Sequence, residues 1–430
     1  MKRLLASCAF ALVTALHAAE PARVDDALAR ARKAHVPVLL DFSAPWCYSC
    51  YFMATHVLNG AEWTALEART VVATVDADSP DGAVWMKKLE IKALPAYVVL
   101  NEDGAELGRI LAEQPRAKFY PMIERILAGA NTLDALKRKA HDGSRDAIAD
   151  VLGAYQARDA GKDGLAWYAT LPQPVRSKAG KDATVTLWRD RLVLSQARAA
   201  KDDKAAVAAA QRVLGGDIGC DRPYVVDSLL EASEKLPTPE RSALLKPQRV
   251  ALDAMLVRDI YVDKPACADQ RSTVVTTADV DAALGDAAAE KAVLDRAIAD
   301  ARTRLGDDYT KDRNLADNLR VYLVRAKRDA ELDALYPKLI AAYPDDYVYT
   351  YRYGRSLLER KRAAEALPWF ERAAEKAYGE NRLSVAMYRV KALKALKRND
   401  DAAKVVADVL EQNGQWFPEQ VAALKAALNS

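Results

Sequence analysis

The first 127 residues alternate between short apolar runs and longer segments with helical periodicity. The apolar or β-branched runs, which predict strands, cover residues 36–42, 71–75 and 96–100. The segments with helical spacing lie before and between them, at residues 25–33, 51–58, 62–68 and 83–89. Because strands that alternate with helices are typical of a parallel sheet covered by helices, the pattern predicts an α/β domain.

The end of this domain carries the pattern of a hairpin followed by a helix. Residues 101–104 form a turn sequence that ends in Gly104, and a further strand-like run follows at 106–110. Helical spacing returns at residues 116–127. We therefore predict one α/β domain over residues 20–129.

Beyond residue 129 the strand-like runs disappear, and Ala, Leu, Arg, Lys and Asp dominate, which predicts an all-α region. Its last third has a pattern of small and large residues at Tyr353, Gly354, Leu357, Ala366, Phe370 and Ala373. This pattern resembles the tetratricopeptide repeat, a helix pair with a period of about 34 residues. A shift of 34 residues back gives Arg320, Leu323, Leu332, Tyr336, Leu339 and Pro344, and a shift of 36 forward gives Val390, Leu393, Ala402, Val406 and Val409.

We expect tetratricopeptide-like repeats over residues 309–430 and helices without a clear period over residues 130–308. One helix pair of such a repeat cannot bury its apolar face alone, so several pairs stack and leave a concave surface. Gly354 is expected where two helices approach closely. This surface could hold a protein segment. Alternatively, the helical array is a spacer or a dimerisation element, and the pattern leaves these alternatives open.

The amino terminus reads as a signal peptide over residues 1–19. Lys2 and Arg3 are followed by an apolar run at 4–16 and by the small residues Ala18 and Ala19. A lipoprotein-like box ends at Cys8, but only two apolar residues precede it, so a cleaved signal is the favoured interpretation. The sequence thus predicts a periplasmic or otherwise secreted protein without a transmembrane segment.

Composition and charge exclude some classes of protein. The chain has 430 residues, of which 51% are hydrophobic and 29% charged, as in an ordinary globular protein. Its 63 basic and 60 acidic residues give a net charge of +3, which becomes +1 without Lys2 and Arg3. So balanced a charge gives no support for binding to nucleic acid.

The cysteines fall into two predicted pairs once Cys8 has left with the signal peptide. An even number of cysteines in an oxidising compartment indicates disulfides. Cys220 and Cys267 lie in loops that contain Gly or Pro, and we predict a structural disulfide between them. The alternative is two independent buried thiols.

The candidate chemistry lies in the other pair, Cys47 and Cys50, which follows a predicted strand and opens a helix. Unpaired backbone N–H groups at a helix start favour a thiolate, which is the attacking species in disulfide exchange. Cys47 is therefore the expected nucleophile, exposed and ionised. Cys50, one turn further in and more shielded, is the expected resolving thiol.

Three features at separated positions belong together: the segment from Asp41 to Trp46 with the dithiol behind it, Pro95 after Leu94, and the turn at 101–104. They give residues 22–127 a resemblance to the thioredoxin fold, and more closely to its extracytoplasmic thiol–disulfide interchange relatives. This resemblance implies that Asp41 is a buried acid that exchanges the proton of Cys50. It also implies that Pro95 is a cis proline beside the sulfurs, where a client strand pairs.

The chain departs from the family between its cysteines, where Tyr48 and Ser49 replace the common Gly and Pro. This leaves the redox potential and the direction of exchange open. An isolated CxxC can also be half a zinc site or a structural disulfide, but the sequence has no second CxxC.

We interpret the chain as a thiol–disulfide oxidoreductase for client proteins with cysteines, whose helical repeats hold a client or partner. It needs no cofactor, because the sulfurs carry the two electrons, and a reductase would be recharged by a membrane electron donor. The alternative is a non-catalytic binding scaffold or chaperone whose CxxC is a structural disulfide.

Overall fold

The amino-terminal part of the protein is built on a four-stranded mixed sheet. The computed structural model describes residues 23–128 and 132–429, so the predicted signal peptide lies outside the described residues. The strands are β1 Val38–Ser43, β2 Val71–Asp76, β3 Ala96–Leu100 and β4 Glu106–Leu111, in the order β2-β1-β3-β4. β1 runs parallel to β2 and antiparallel to β3, and β4 pairs antiparallel with β3.

Within residues 23–128, five helices cover this sheet: α1 Val24–Ala34, α2 Tyr48–His56, α3 Gly60–Glu67, α4 Pro80–Lys88 and α5 Arg116–Ala128. Every strand and helix predicted for the domain is present, with ends that shift by a few residues. β1 begins later than predicted because the N–H of Val36 bonds to Ala31 at the end of α1. α2 begins earlier than predicted because Cys47 caps it.

The alternation of side chains along β1 divides the core between two faces. Val38, Leu40 and Phe42 pack with α1 and α4 on one face. Leu39 packs on the opposite face with residues of α2, α3 and α5. Because side chains alternate along a strand, Asp41 shares this second face. A buried carboxyl thus lies beneath the helix that begins with the dithiol.

The rest of the described chain, residues 133–429, is entirely helical and is called the helical region below. Its helices are α6 Leu133–His141, α7 Arg145–Gln156, α8 Gly161–Thr170, α9 Gln173–Ala179, α10 Ala183–Ala199, α11 Asp203–Leu214, α12 Arg222–Ala232, α13 Thr238–Met255, α14 Gln270–Leu284, α15 Ala287–Leu305, α16 Arg313–Arg325, α17 Asp329–Ala342, α18 Val348–Glu359, α19 Ala363–Ala374, α20 Gly379–Ala395, α21 Asn399–Asn413 and α22 Pro418–Asn429. A 3₁₀ turn at Gly219–Asp221 and a π-helical turn at Leu256–Ile260 complete it. The predicted fold class, an α/β domain followed by an all-α region, is confirmed.

From α16 onward, successive helices pack against each other, and they share one apolar core with α14 and α15. In the α18–α19 pair, a Cβ added to Gly354 would lie 2.8 Å from the ring of Phe370. Only glycine therefore fits at this position without a shift of the ring. The ring of Tyr336 stacks on that of Tyr353 at 4.6 Å and joins this pair to α17.

The helical region also packs against the α/β domain, with α16 lying along α2. His56 of α2 and Asp312, the N-cap of α16, are 2.9 Å apart. Within residues 23–128 and 132–429, no helix has both the length and the apolar character to cross a membrane. The interface brings the helical region to the dithiol.

Candidate functional site

The dithiol lies at the carboxyl end of β1, where the chain turns into α2. Cys47 is the N-cap of α2 and its Sγ accepts the N–H of Cys50 over 3.1 Å. The two sulfurs form a disulfide with a Cα–Cα distance of 5.2 Å. The start of α2 therefore points the N–H of Cys50 at the first sulfur, an arrangement that stabilises a thiolate.

Cys47 is only 4% exposed in this oxidised state, and here the expectation of an exposed nucleophile is wrong. Its side chain packs with those of Ala44 and Ala77, and Leu94 lies against the same cluster. Cys50, expected to be the more shielded of the two, is only half-buried. Cys47 is the more buried of the two because its side chain, at the N-cap of α2, packs against Ala44 and Ala77.

Asp41 and Cys50 line one cavity of about 410 Å³. Burial raises the pKa of Asp41 from its ordinary 3.8 to about 7. A carboxyl with such a pKa can both accept and donate a proton near neutral pH. The other residues that line the cavity are Ser43, Ala44, Pro45, Tyr51, Ala54, Leu58, Thr74, Asp76, Tyr97 and Tyr378.

The Leu94–Pro95 peptide bond is cis, and Pro95 is buried at the start of β3. Its carbonyl accepts the N–H of Ala112 over 3.0 Å. Leu94 packs against the apolar cluster that contains Cys47. The structure thus brings the predicted proline loop next to the dithiol.

Trp46 is 41% exposed, and its indole N–H donates to Asp78 over 2.8 Å. Burial raises the pKa of Asp78 to about 6. The carbonyl of Asp78 in turn accepts the N–H of Glu380 over 3.1 Å, and the hydroxyl of Tyr378 donates to Asp76. The loop after β2 therefore links the tryptophan to the α19–α20 turn of the helical region.

The helical region holds the dithiol segment, residues 46–50, from the other side. Arg352 Nη2 donates to the carbonyl of Trp46 over 2.8 Å, and Asn314 Nδ2 donates to the carbonyl of Tyr48 over 2.7 Å. The guanidinium of Arg271 stacks on the Tyr48 ring, 3.6 Å from its centroid. Both backbone carbonyls beside the first cysteine are thus bonded to the helical region.

Acidic groups also approach this segment. The hydroxyls of Tyr48 and Tyr224 donate to Asp269 over 3.3 and 2.6 Å. Burial, and next the charge of Asp269, raises the pKa of Glu113, whose carboxyl faces Ser49. The dithiol therefore lies between several acids and the cations of the helical region.

Cys220 and Cys267 are joined by a disulfide with a Cα–Cα distance of 5.4 Å. Cys267 is buried, and Asp269 follows it as the N-cap of α14. This disulfide therefore fixes the loop that brings Asp269 to Tyr48.

The structure brings together all five residues predicted for the site: Asp41, Trp46, Cys47, Cys50 and Pro95. Sequence reasoning missed the contributions of the helical region, such as Arg271, Asn314 and Arg352. No local motif marks these residues. Each lies more than 220 residues from the cysteines, in a segment whose composition is typical of an exposed helix.

Comparison with protein families matches residues 24–127 to the thioredoxin-like domain. Over 110 residues, the chain is 30% identical to the "Thiol:disulfide interchange protein DsbD" of Ralstonia nicotianae and 32% identical to that of Neisseria meningitidis serogroup B. Each of these matches covers 25% of this chain and 18% of the relative. The chain therefore spans less than a fifth of the interchange proteins it matches.

Over 103 residues, the chain is 32% identical to "Thioredoxin Y2, chloroplastic" of Arabidopsis thaliana, covering 24% of this chain and 57% of that protein. The solution structure of a thioredoxin from Thermus thermophilus is 32% identical, with a TM-score of 0.23, and the match covers 24% of this chain and 82% of that one. The sequence likenesses to the interchange proteins and to the chloroplast thioredoxin, together with the Cys47–Cys50 pair, indicate thiol–disulfide redox chemistry. Residues 24–127 of this chain form a thioredoxin-like domain, which an all-helical region follows.

Proposed function

We propose that this protein is an exported thiol–disulfide oxidoreductase that exchanges its dithiol or disulfide with cysteines of client proteins. The observation that carries the proposal is that Cys47, Cys50 and Asp41 lie together at the start of α2. Cys47 caps α2, and Cys50 and Asp41 line one cavity. Nucleophile, resolving thiol and proton acceptor are thus arranged around one pair of sulfurs.

In the reducing direction, the thiolate of Cys47 attacks a client disulfide and forms a mixed disulfide, while one client sulfur leaves as a thiolate. Cys50 then passes its proton to Asp41 and attacks the sulfur of Cys47. The second client sulfur leaves, and two electrons have moved from the dithiol to the client. The oxidising direction reverses these steps, and the redox potential decides between them.

The export part of the proposal rests on the signal-like pattern of residues 1–19 and places the protein in the periplasm or outside the cell. In an oxidising compartment a reductase must be reduced again, and we assign this step to a membrane electron donor. The tetratricopeptide-like array, residues 309–430, would hold the client or partner.

The reduction of insulin disulfides by dithiothreitol tests the exchange. The full mature chain should accelerate it, and Cys47→Ser should abolish the acceleration. The matched control is the double variant Cys220→Ser, Cys267→Ser, which removes the other disulfide and should retain exchange while it stays folded. Equal rates for wild type and Cys47→Ser would refute the enzymatic proposal.

A second function, a non-catalytic scaffold or chaperone with a structural CxxC disulfide, is favoured by the burial of Cys47 at 4% exposure. Equilibration with glutathione separates the two. A reduction potential below about −300 mV is typical of structural disulfides, whereas roughly −120 to −270 mV is typical of proteins that exchange them. Client protection that survives loss of both Cys47 and Cys50 would support the chaperone.

A further inference from the structure

A buried charge cluster of the helical region lies directly behind the dithiol segment. Its centre is Asp317 on α16, which is 0% exposed. Asp317 accepts hydrogen bonds from Arg271 of α14 over 2.6 Å, from Arg320 of α16 over 2.7 Å and from Arg352 of α18 over 2.6 Å. These four residues are called the Asp317 cluster below.

The cluster keeps its charges in the buried state. Burial alone would raise the pKa of Asp317, but the three guanidinium groups lower it well below its ordinary value. Three cations therefore surround one carboxylate, which leaves an excess of positive charge in this part of the interface. Such an excess is costly to bury unless the cations find further partners.

Two of the three arginines find those partners on either side of Cys47. Arg352 uses Nη1 for Asp317 and Nη2 for the carbonyl of Trp46. Arg271 uses Nη2 for Asp317 and lays its guanidinium on the ring of Tyr48. One carboxylate thus orients two cations, and each of them contacts a residue next to the first cysteine.

A hydrogen-bonded chain extends the same contact. Arg271 Nε donates to Asn318 over 2.7 Å, Asn318 donates to Asn314 over 3.1 Å, and Asn314 donates to the carbonyl of Tyr48 over 2.7 Å. The segment from Trp46 to Tyr48 is therefore fixed at both carbonyls by one connected network.

We propose that Arg271 and Arg352, held by Asp317, are positioning residues of the dithiol, so that the helical region forms part of the active site. They fix the segment that carries Cys47 and favour its thiolate. Acids approach the segment from other elements: Asp78, Glu113 and Asp269, together with Asp41 and Asp76, which line the cavity of Cys50. Whichever of them are ionised oppose a thiolate. The two arginines offset them.

This inference rests on the proposed exchange function and predicts a change in redox equilibrium. Arg352→Met removes a cation and a donor, so the reduced form loses stabilisation. A nearby opposite charge shifts a pKa by about one unit or more. We expect the equilibrium of the full chain with glutathione to move toward the disulfide on the order of tenfold, which is about 30 mV. Arg271→Met should shift it in the same direction through Tyr48.

The chain offers a closely matched control in Arg360, which bonds to Asp333 elsewhere in the helical region. Its side chain is 17% exposed and that of Arg352 is 18% exposed. Arg360→Met should leave the glutathione equilibrium within about twofold of wild type, since Arg360 is bonded away from the dithiol. Arg352→Lys, which keeps the charge and a donor, should restore most of the wild-type value.

The experiment compares wild type with these four variants by glutathione titration, with circular dichroism as the check on folding. Wild-type equilibrium in both Arg352→Met and Arg271→Met would overturn the inference, as would a lysine variant as defective as the methionine variant. Arg271→Met carries the test if Arg352→Met does not fold. A wild-type chain that neither accelerates insulin reduction nor equilibrates with glutathione would instead refute the proposed function itself.

Discussion

Replacement of the buried acid Asp41 by asparagine should stabilise the oxidised protein, and more so at high pH. Burial raises the pKa of this carboxyl from 3.8 to about 7. Between these values the folded state keeps a proton that the unfolded chain releases, so stability falls as the pH rises through this window. An asparagine side chain does not titrate, so the Asp41→Asn variant would escape this loss.

The size of the effect follows from the two pKa values. One pKa unit corresponds to about 1.4 kcal/mol, so full ionisation of Asp41 lowers the free energy of unfolding by roughly 4 kcal/mol. Part of this loss has already occurred at pH 5. Between pH 5 and pH 8 the advantage of Asp41→Asn over wild type should therefore grow by about 2 to 3 kcal/mol.

Urea unfolding of the oxidised full chain at pH 5 and pH 8, followed by circular dichroism and tryptophan fluorescence, measures this change. Packing differences between the two side chains act at both pH values and cancel in the comparison. Asp26→Asn, at an exposed position of α1, is the control and should show no such growth. A constant difference for Asp41→Asn, within about 0.5 kcal/mol, would refute the assignment of a buried, protonated acid.

Two glycines give further predictions. A Cβ on Gly379 would lie 2.0 Å from the carbonyl oxygen of Asp78, and the residue has a φ of +50°, so Gly379→Ala should loosen the interface. Hydrogen exchange of the loop after β2 should then accelerate, and unchanged protection would contradict this. Gly354→Ala forces a methyl group against Phe370 and should lower stability by about 1 to 3 kcal/mol in urea unfolding. The control is Gly153→Ala, whose Cβ would make an ordinary contact of 3.5 Å and which should not lower stability. Equal losses of stability in Gly354→Ala and Gly153→Ala would rule out the packing argument.

The α/β domain could be predicted from the sequence because its signals are local. Strand runs such as 71–75, the turn at 101–104 and the CxxC each lie within a few residues. Asp41 and Pro95 could be added because they occupy fixed places relative to that motif. The burial of Cys47 could not be predicted, because it depends on Ala77 and Leu94, which fold over it from distant loops.

The contribution of the helical region could not be predicted for a similar reason. Arg352 bonds to Trp46 across 306 residues of chain. In the sequence, Arg271, Asp317 and Arg352 look like ordinary charges on helices, since opposite charges are spread evenly over the chain. Only the fold shows that they meet at one buried carboxylate. The tetratricopeptide-like pattern predicted helices but not the surface that faces the dithiol.

Trapping of the exchange intermediate tests the central claim most directly. Cys50→Ala removes the thiol that resolves the mixed disulfide, so incubation of the reduced full-length variant with insulin should accumulate a covalent adduct through Cys47, seen by non-reducing electrophoresis and mass spectrometry. Cys47→Ala, treated in the same way, should give little or none. Absence of an adduct with Cys50→Ala, or equal adducts in both variants, would contradict the assignment of Cys47 as the nucleophile.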